Sequence, residues 1–239
     1  CNLDYKTSMN PKDARQKKST RNISGSTALL SFDSFFEQFP SKTFRKKATI
    51  INAGIEPSDI YYLKRGYARA YGVSNDGEEL TMVIFQPGDF FPLISTIMPT
   101  KVEHYIESLT EVEIIGVPRL KFIEFLRSRQ DLVVDLAMRL TARFEGVLTR
   151  MEYLVFGTAA QKLASIIIIL GDRFGEKKSS GMHIKAPLTH RDLASLVGIT
   201  RETTSLILSD FVKKGYIAFL NKHILIKNSI KLKKESLIV

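Results

Sequence analysis

Thr200-Arg201-Glu202-Thr203, with Ser205 close behind, gathers a forked cation, a carboxylate and several hydroxyls into one short stretch. Arginine can present its fork to guanine O6 and N7, and glutamate can accept from cytosine N4. Hydroxyls and main-chain N–H groups at the start of a helix suit phosphates. Together these residue types point to double-stranded DNA, with Thr189, Thr200, Arg201, Glu202, Thr203 and Ser205 as the candidate contacts. No other chemistry is legible. His104, His183, His190 and His223 are scattered, and the single cysteine, Cys1, excludes a cysteine-ligated metal site within one chain. There is no nucleophile–base constellation and no phosphate-cradling glycine loop, so no catalytic residue, metal or cofactor is expected.

The elements that must position these residues are readable around them. Thr189 and Asp192 form a capping-box pair, which starts a helix at His190. That helix turns Leu193, Leu196 and Val197 inward, and Ala194 is small enough for a close helix crossing. His190 is expected on the surface. Gly198 can take the left-handed corner. Thr200 then caps a second helix with an inward stripe of Thr204, Ile207, Leu208 and Phe211. Two strands around Asn221-Lys222 follow as a small wing. This is the pattern of a winged helix-turn-helix.

Charge agrees with that placement. Of the formal net +10, residues 1–24 carry +4 (six basic, two acidic) and residues 182–239 carry +6 (ten basic, four acidic). Residues 25–181 hold 19 of each sign and are neutral. A localised basic surface is the electrostatic footprint of a polyanion binder. The lysines of "KLKKESLIV" read as a solvated tail. Residues 1–24 read as a flexible basic segment, and Cys1–Ser8, ahead of Met9, are expected to stand outside the fold. The lack of any internal disulfide suits the cytoplasm. No apolar run reaches bilayer length, and the phenylalanine-rich runs alternate as core strands do rather than as a membrane-binding face.

Upstream, residues 28–39 have helical spacing stopped by Pro40. From there to about Val117, short β-rich runs alternate with turn signals, including Asn75-Asp76-Gly77, and predict an antiparallel barrel or roll. Pro118 opens a helical region. A long helix from Asp131 carries Val133, Ala137, Leu140, Phe144, Val147, Met151 and Leu154 at alternating four- and three-residue steps, the seam of a parallel dimer. A further helix spans 158–174, "GEKKSSG" is read as a loop, and "MHIKA" as a strand. The expected organisation is α+β: residues 25–128 an antiparallel, jelly-roll-type β-roll, 129–157 a dimerisation helix, and 158–239 a winged helix-turn-helix.

This order of parts resembles the Crp/Fnr family of bacterial transcription regulators. "DLASLVGITRETTSLIL" looks like the family's DNA-binding signature, "YLKRGYARAYGVSNDGEELTMVIFQPGDFF" is similar to its roll, and "VFGTAAQKLASIII" to its linker. The resemblance implies a cytoplasmic homodimer on a palindromic DNA site, with RNA polymerase as partner. Members that bind cyclic AMP carry a Gly-Glu-Leu and an Arg-Ser pair where this chain reads "GDFFPLISTIMPTKVEHYIESL". Glu103 and Glu107 stand nearby and would repel a phosphate, while Val147-Leu148 replace a Thr-Ser pair. The cysteines of the iron–sulfur branch are absent. Leu206 stands where the family often has a second arginine. A neutral effector could be held by Phe85, Phe90, Phe91, Ile94, Ile97 and His104, although these residues read first as core and His104 as structural rather than a haem ligand. The alternative is a degenerate roll, with control by abundance or by a protein partner.

Overall fold

The computed structural model describes residues 31–221 and 223–238, so the basic segment 1–24, Cys1 and Lys222 lie outside the described residues. Residues 31–36 are helical (α1) and precede eight strands. These are β1 (Ser41–Phe44), β2 (Thr49–Ile51), β3 (Asp59–Arg65), β4 (Ala68–Val73), β5 (Glu79–Phe85), β6 (Phe90–Phe91), β7 (Tyr105–Ser108) and β8 (Val112–Pro118). They form two antiparallel sheets, ordered β1-β8-β3-β6 and β2-β7-β4-β5. The β4–β5 hairpin turns at Asn75-Asp76-Gly77, where Gly77 sits at φ +82°, a conformation that favours glycine.

Strand alternation sorts the roll's side chains onto two faces. Leu63, Ala68, Ala70, Phe85, Phe91, Ile106 and Ile114 meet between the sheets. Ile60, Tyr62, Phe90, Ile115 and Val117 face the other way, against Phe32 and Phe36 of α1. That outer layer is completed by Phe122 and Leu126 of α3 (Arg119–Ser128) and by Leu132 and Leu136 at the start of α4 (Gln130–Phe156). The short α2 (Leu93–Ile97) lies between β6 and β7.

Beyond α4, Thr158 and Gln161 build a reciprocal capping box that opens α5 (Ala159–Phe174). Then come β9 (Gly175–Lys178), β10 (Gly181–Ile184), α6 (His190–Val197), α7 (Arg201–Lys213), β11 (Ile217–Leu220), β12 (His223–Ile226) and α8 (Ser229–Lys234). The last four strands make one sheet, ordered β11-β12-β10-β9.

Two readings are corrected here. "GEKK" is an edge strand paired with β10 rather than a loop. An edge strand needs no apolar alternation, and lysines there are one way edges are kept from pairing with other chains. The C-terminal lysines are likewise not wholly a loose tail: α8 is capped by the Asn228 side chain and anchored by buried Leu232.

Candidate nucleic-acid interface

The helix pair is built by local chemistry. Thr189 Oγ1 accepts the Asp192 N–H at 3.2 Å, and Asp192 Oδ2 accepts the Thr189 N–H at 2.7 Å. Gly198 stands at φ +65° and ends α6 in the left-handed conformation. Thr200 Oγ1 accepts the Thr203 N–H at 3.1 Å and starts α7. Between the helices, Leu193, Leu196, Val197, Leu208 and Phe211 share one core with α5, and Thr204 is fully buried with its hydroxyl donating to the Thr200 carbonyl at 2.9 Å. The wing hairpin β11–β12 turns at Asn221, whose φ is +48°.

The candidate side chains divide by what they already bond. Arg201 and Glu202 are exposed on the first turn of α7, and neither makes an ion pair or side-chain hydrogen bond among the described residues. The Thr189 hydroxyl donates to Asp192 Oδ2 at 2.7 Å, and the Thr200 and Thr203 hydroxyls are 2.9 Å apart. The Ser205 hydroxyl donates to the Arg201 carbonyl at 2.9 Å and also meets His190 Nδ1 at 2.8 Å. His190 is therefore not simply a surface residue. It is half-buried and tied to α7, with its ring 5.5 Å from that of Phe219 on the wing. Leu206 is 73 % exposed on the same helix, with no packing role to explain it.

With this geometry in place, similarity to known proteins is informative. Residues 161–235 match the Crp-like helix-turn-helix domain and residues 41–129 the cyclic nucleotide-binding domain. The regulatory protein CysR of Synechococcus elongatus is 32% identical over 161 residues, covering 66% of this chain and 71% of that protein. The chain belongs to the Crp/Fnr family of transcription regulators. A CRP-like cAMP-activated global transcriptional regulator of Mycobacterium tuberculosis is 26% identical over 201 residues, 84% of this regulator and 89% of that one. The fold of FixK2 from Bradyrhizobium japonicum superposes with a TM-score of 0.73 at 19% identity, over 84% of this chain and 98% of that one.

The candidate effector residues of this Crp/Fnr regulator do not converge. Phe85 and Phe91 pack inside the roll with rings 4.6 Å apart, whereas Phe90 lies on the opposite face against Phe32, 5.2 Å away. Ile94 is 71 % exposed, and His104 is half-buried beside Gly72. Adjacent residues of a strand point to opposite sides, so Phe90 and Phe91 cannot line one cavity. The expected repulsion from Glu107 also needs correction. Glu107 lies directly across from Arg69, which bonds Glu107 Oε1 at 3.2 Å and Glu79 Oε2 at 2.7 Å while remaining almost fully buried. Burial works against the Arg69 charge, but the bonds and attraction of the two glutamates outweigh it and hold its pKa above the ordinary value.

That charged face of the roll meets the helix-turn-helix, which sequence reasoning missed. The Thr81 N–H donates to Ser195 Oγ at 3.1 Å, the two hydroxyls bond each other, and Arg191 lies 3.6 Å from Glu79. Arg150 of α4 locks the junction. Its guanidinium donates to the carbonyls of Met82 at 2.8 Å, Thr81 at 2.6 Å and Leu196. Burial without a carboxylate partner pulls its pKa below the usual arginine value, against a smaller opposing pull from Tyr153. Asp89 binds both Arg143 of α4 and Arg173 of α5, the latter at 3.1 Å. The one signal in the sequence was that Arg143 and Arg150 fall off the apolar stripe of α4.

Along that stripe, Val133, Ala137, Leu140, Phe144, Val147 and Met151 are exposed. Leu154 is the exception, half-buried against the helix-turn-helix core, because α4 closes on α5 at that end. No helix among the described residues is long and apolar enough to cross a membrane.

Proposed function

We propose that this chain is a homodimeric, sequence-specific transcription regulator that reads a palindromic DNA site through Arg201 and Glu202. It would act in the cytoplasm, with RNA polymerase as its further partner and without catalytic activity of its own. One observation carries the reading: of the candidate DNA-contacting side chains, these two project from the first turn of α7 with no ion pair or side-chain hydrogen bond among the described residues. Thr189 and Thr200 act as caps that aim the helices, and Thr203 stays close enough to the N-terminal turn to meet a phosphate. The exposed apolar stripe of α4, with Phe144 63 % exposed, supports a second copy packed along it. Two recognition helices would then lie about 34 Å apart on one face of the duplex. Selection of duplexes from a randomised pool tests this, with a palindrome recovered by the native chain and relaxed base preference, at a cost of ~1–3 kcal/mol, for Arg201→Ala. Failure to recover any sequence preference from the folded chain would refute it.

A second reading concerns the signal. The space between the sheets is filled by Phe85, Phe91, Ile51, Leu63 and Ile106, and none of them is more than slightly exposed. This favours a roll that transmits state without a small molecule, lacking the cyclic-AMP Arg-Ser pair and the iron–sulfur cysteines, over one that encloses an effector. Selection of the same palindrome with no additive supports it. A requirement for cyclic AMP or haem in that selection would overturn it.

A further inference from the structure

We infer that His190 is a proton-linked phosphate contact at the DNA interface, held in register by Ser205; the inference rests on the DNA-binding reading above. The Ser205 hydroxyl has one proton, and it goes to the Arg201 carbonyl, which can only accept. With that proton so placed, the serine oxygen accepts toward His190, and the tautomer that completes the bond carries its hydrogen on Nδ1. In the neutral ring that leaves Nε2 with a bare lone pair, which repels a phosphate oxygen. Protonation turns Nε2 into a charged donor, the form a phosphate binds.

Placement makes this ring the one that matters. His190 opens α6 and reaches across to the second turn of α7, beside the Phe219 ring of the wing. It thus stands in the cleft between the first helix, the recognition helix and the wing, where the first helix of such a pair crosses the DNA backbone. Its neighbours on α6 face elsewhere: Arg191 reaches toward Glu79 of the roll, and Asp192 is engaged by Thr189. Among the described residues, its own helix carries these two charged groups, and the first turn of the packed α7 carries Arg201 and Glu202. The wing presents Phe219, and His223 is turned to the Ile184 carbonyl at 3.2 Å. No carboxylate among the described residues bonds the ring, so a bound phosphate would supply the counter-charge.

Histidine is the side chain whose charge ordinarily changes between about pH 5 and 8. A phosphate against Nε2 favours the protonated ring, so affinity should be greatest at acid pH and fall as pH rises, with a slope of up to about tenfold per pH unit. The test is equilibrium binding of the full chain to its selected duplex at fixed ionic strength, from about pH 5.5 to 8.5. The native chain should bind several-fold tighter at the acid end. His190→Asn keeps an N–H for Ser205 but cannot titrate, and should remove that slope. His190→Arg should bind at the alkaline end as tightly as the native chain does at the acid end. A native slope retained in His190→Asn overturns the inference alone, provided Arg201 still governs base preference. Absence of specific binding at every pH overturns both it and the DNA-binding reading.

Discussion

Ser195, in the first helix of the helix-turn-helix, accepts the main-chain N–H of Thr81 in the roll at 3.1 Å, a contact across 114 positions of sequence. It is buried, so its loss leaves an amide with no water to replace the serine. Ser195→Ala should cost ~1–3 kcal/mol of docking free energy. Amide hydrogen exchange at Thr81 checks it: faster exchange is expected, and an unchanged rate would mean that the two parts are not docked this way in solution.

Arg150 gathers three carbonyls from two parts of the molecule, Met82 and Thr81 of the roll and Leu196 of α6. Arg150→Ala should lower stability by about 3 kcal/mol, because hydrogen bonds to a charged donor are the stronger kind and the carbonyls lose their partner. Thermal unfolding should show the shift, together with faster proteolysis between α4 and α5. Arg150→Lys should recover only part of it, since an ammonium lacks the planar fork.

Arg69 balances two glutamates on the buried face of the second sheet, at 2.7 Å from Glu79 and 3.1 Å from Glu107. Removing the cation leaves two carboxylates side by side with little water. Arg69→Ala should destabilise by about 3–5 kcal/mol. Urea denaturation measures this, and the double variant with Glu107→Gln should be less damaged than the single one.

Tyr153 has a buried hydroxyl without a hydrogen-bond partner among the described residues, and burial pushes its pKa up to about 12 despite the opposing pull of Arg150. Because the folded value exceeds the unfolded value of 10.0, its contribution is intact below pH 10.0 and is lost as pH rises toward about 12. Tyr153→Phe should stabilise by ~1 kcal/mol near neutrality and flatten part of the alkaline loss. Unfolding curves at neutral and alkaline pH would show both effects.

Phe144 lies on the exposed seam of α4 and touches little within its own chain. Phe144→Glu should yield a folded monomer with weakened DNA affinity. Sedimentation velocity would distinguish this from a dimer that does not use the seam.

What the sequence determined by itself was local. Thr189 with Asp192, Gly198, Thr200, Asn75-Asp76-Gly77 and the Asn221 turn act through backbone groups a few residues away, and each appears in the structure as its residue type requires. The two faces of each strand were legible as alternation, but which face met which partner was not. Phe90 and Phe91, adjacent in the chain, part to different clusters. Glu107 looked like a free anion until the β4–β7 register set it opposite Arg69. Leu154 continues the seam in sequence but closes against α5 in space. The polar β9 carried no alternation because an edge strand needs none. Ser195 with Thr81, Arg150 with Leu196, and His190 with Ser205 are contacts between separate elements. They depend on how whole elements dock, and docking is decided by the sum of many apolar contacts rather than by any short run of residue types.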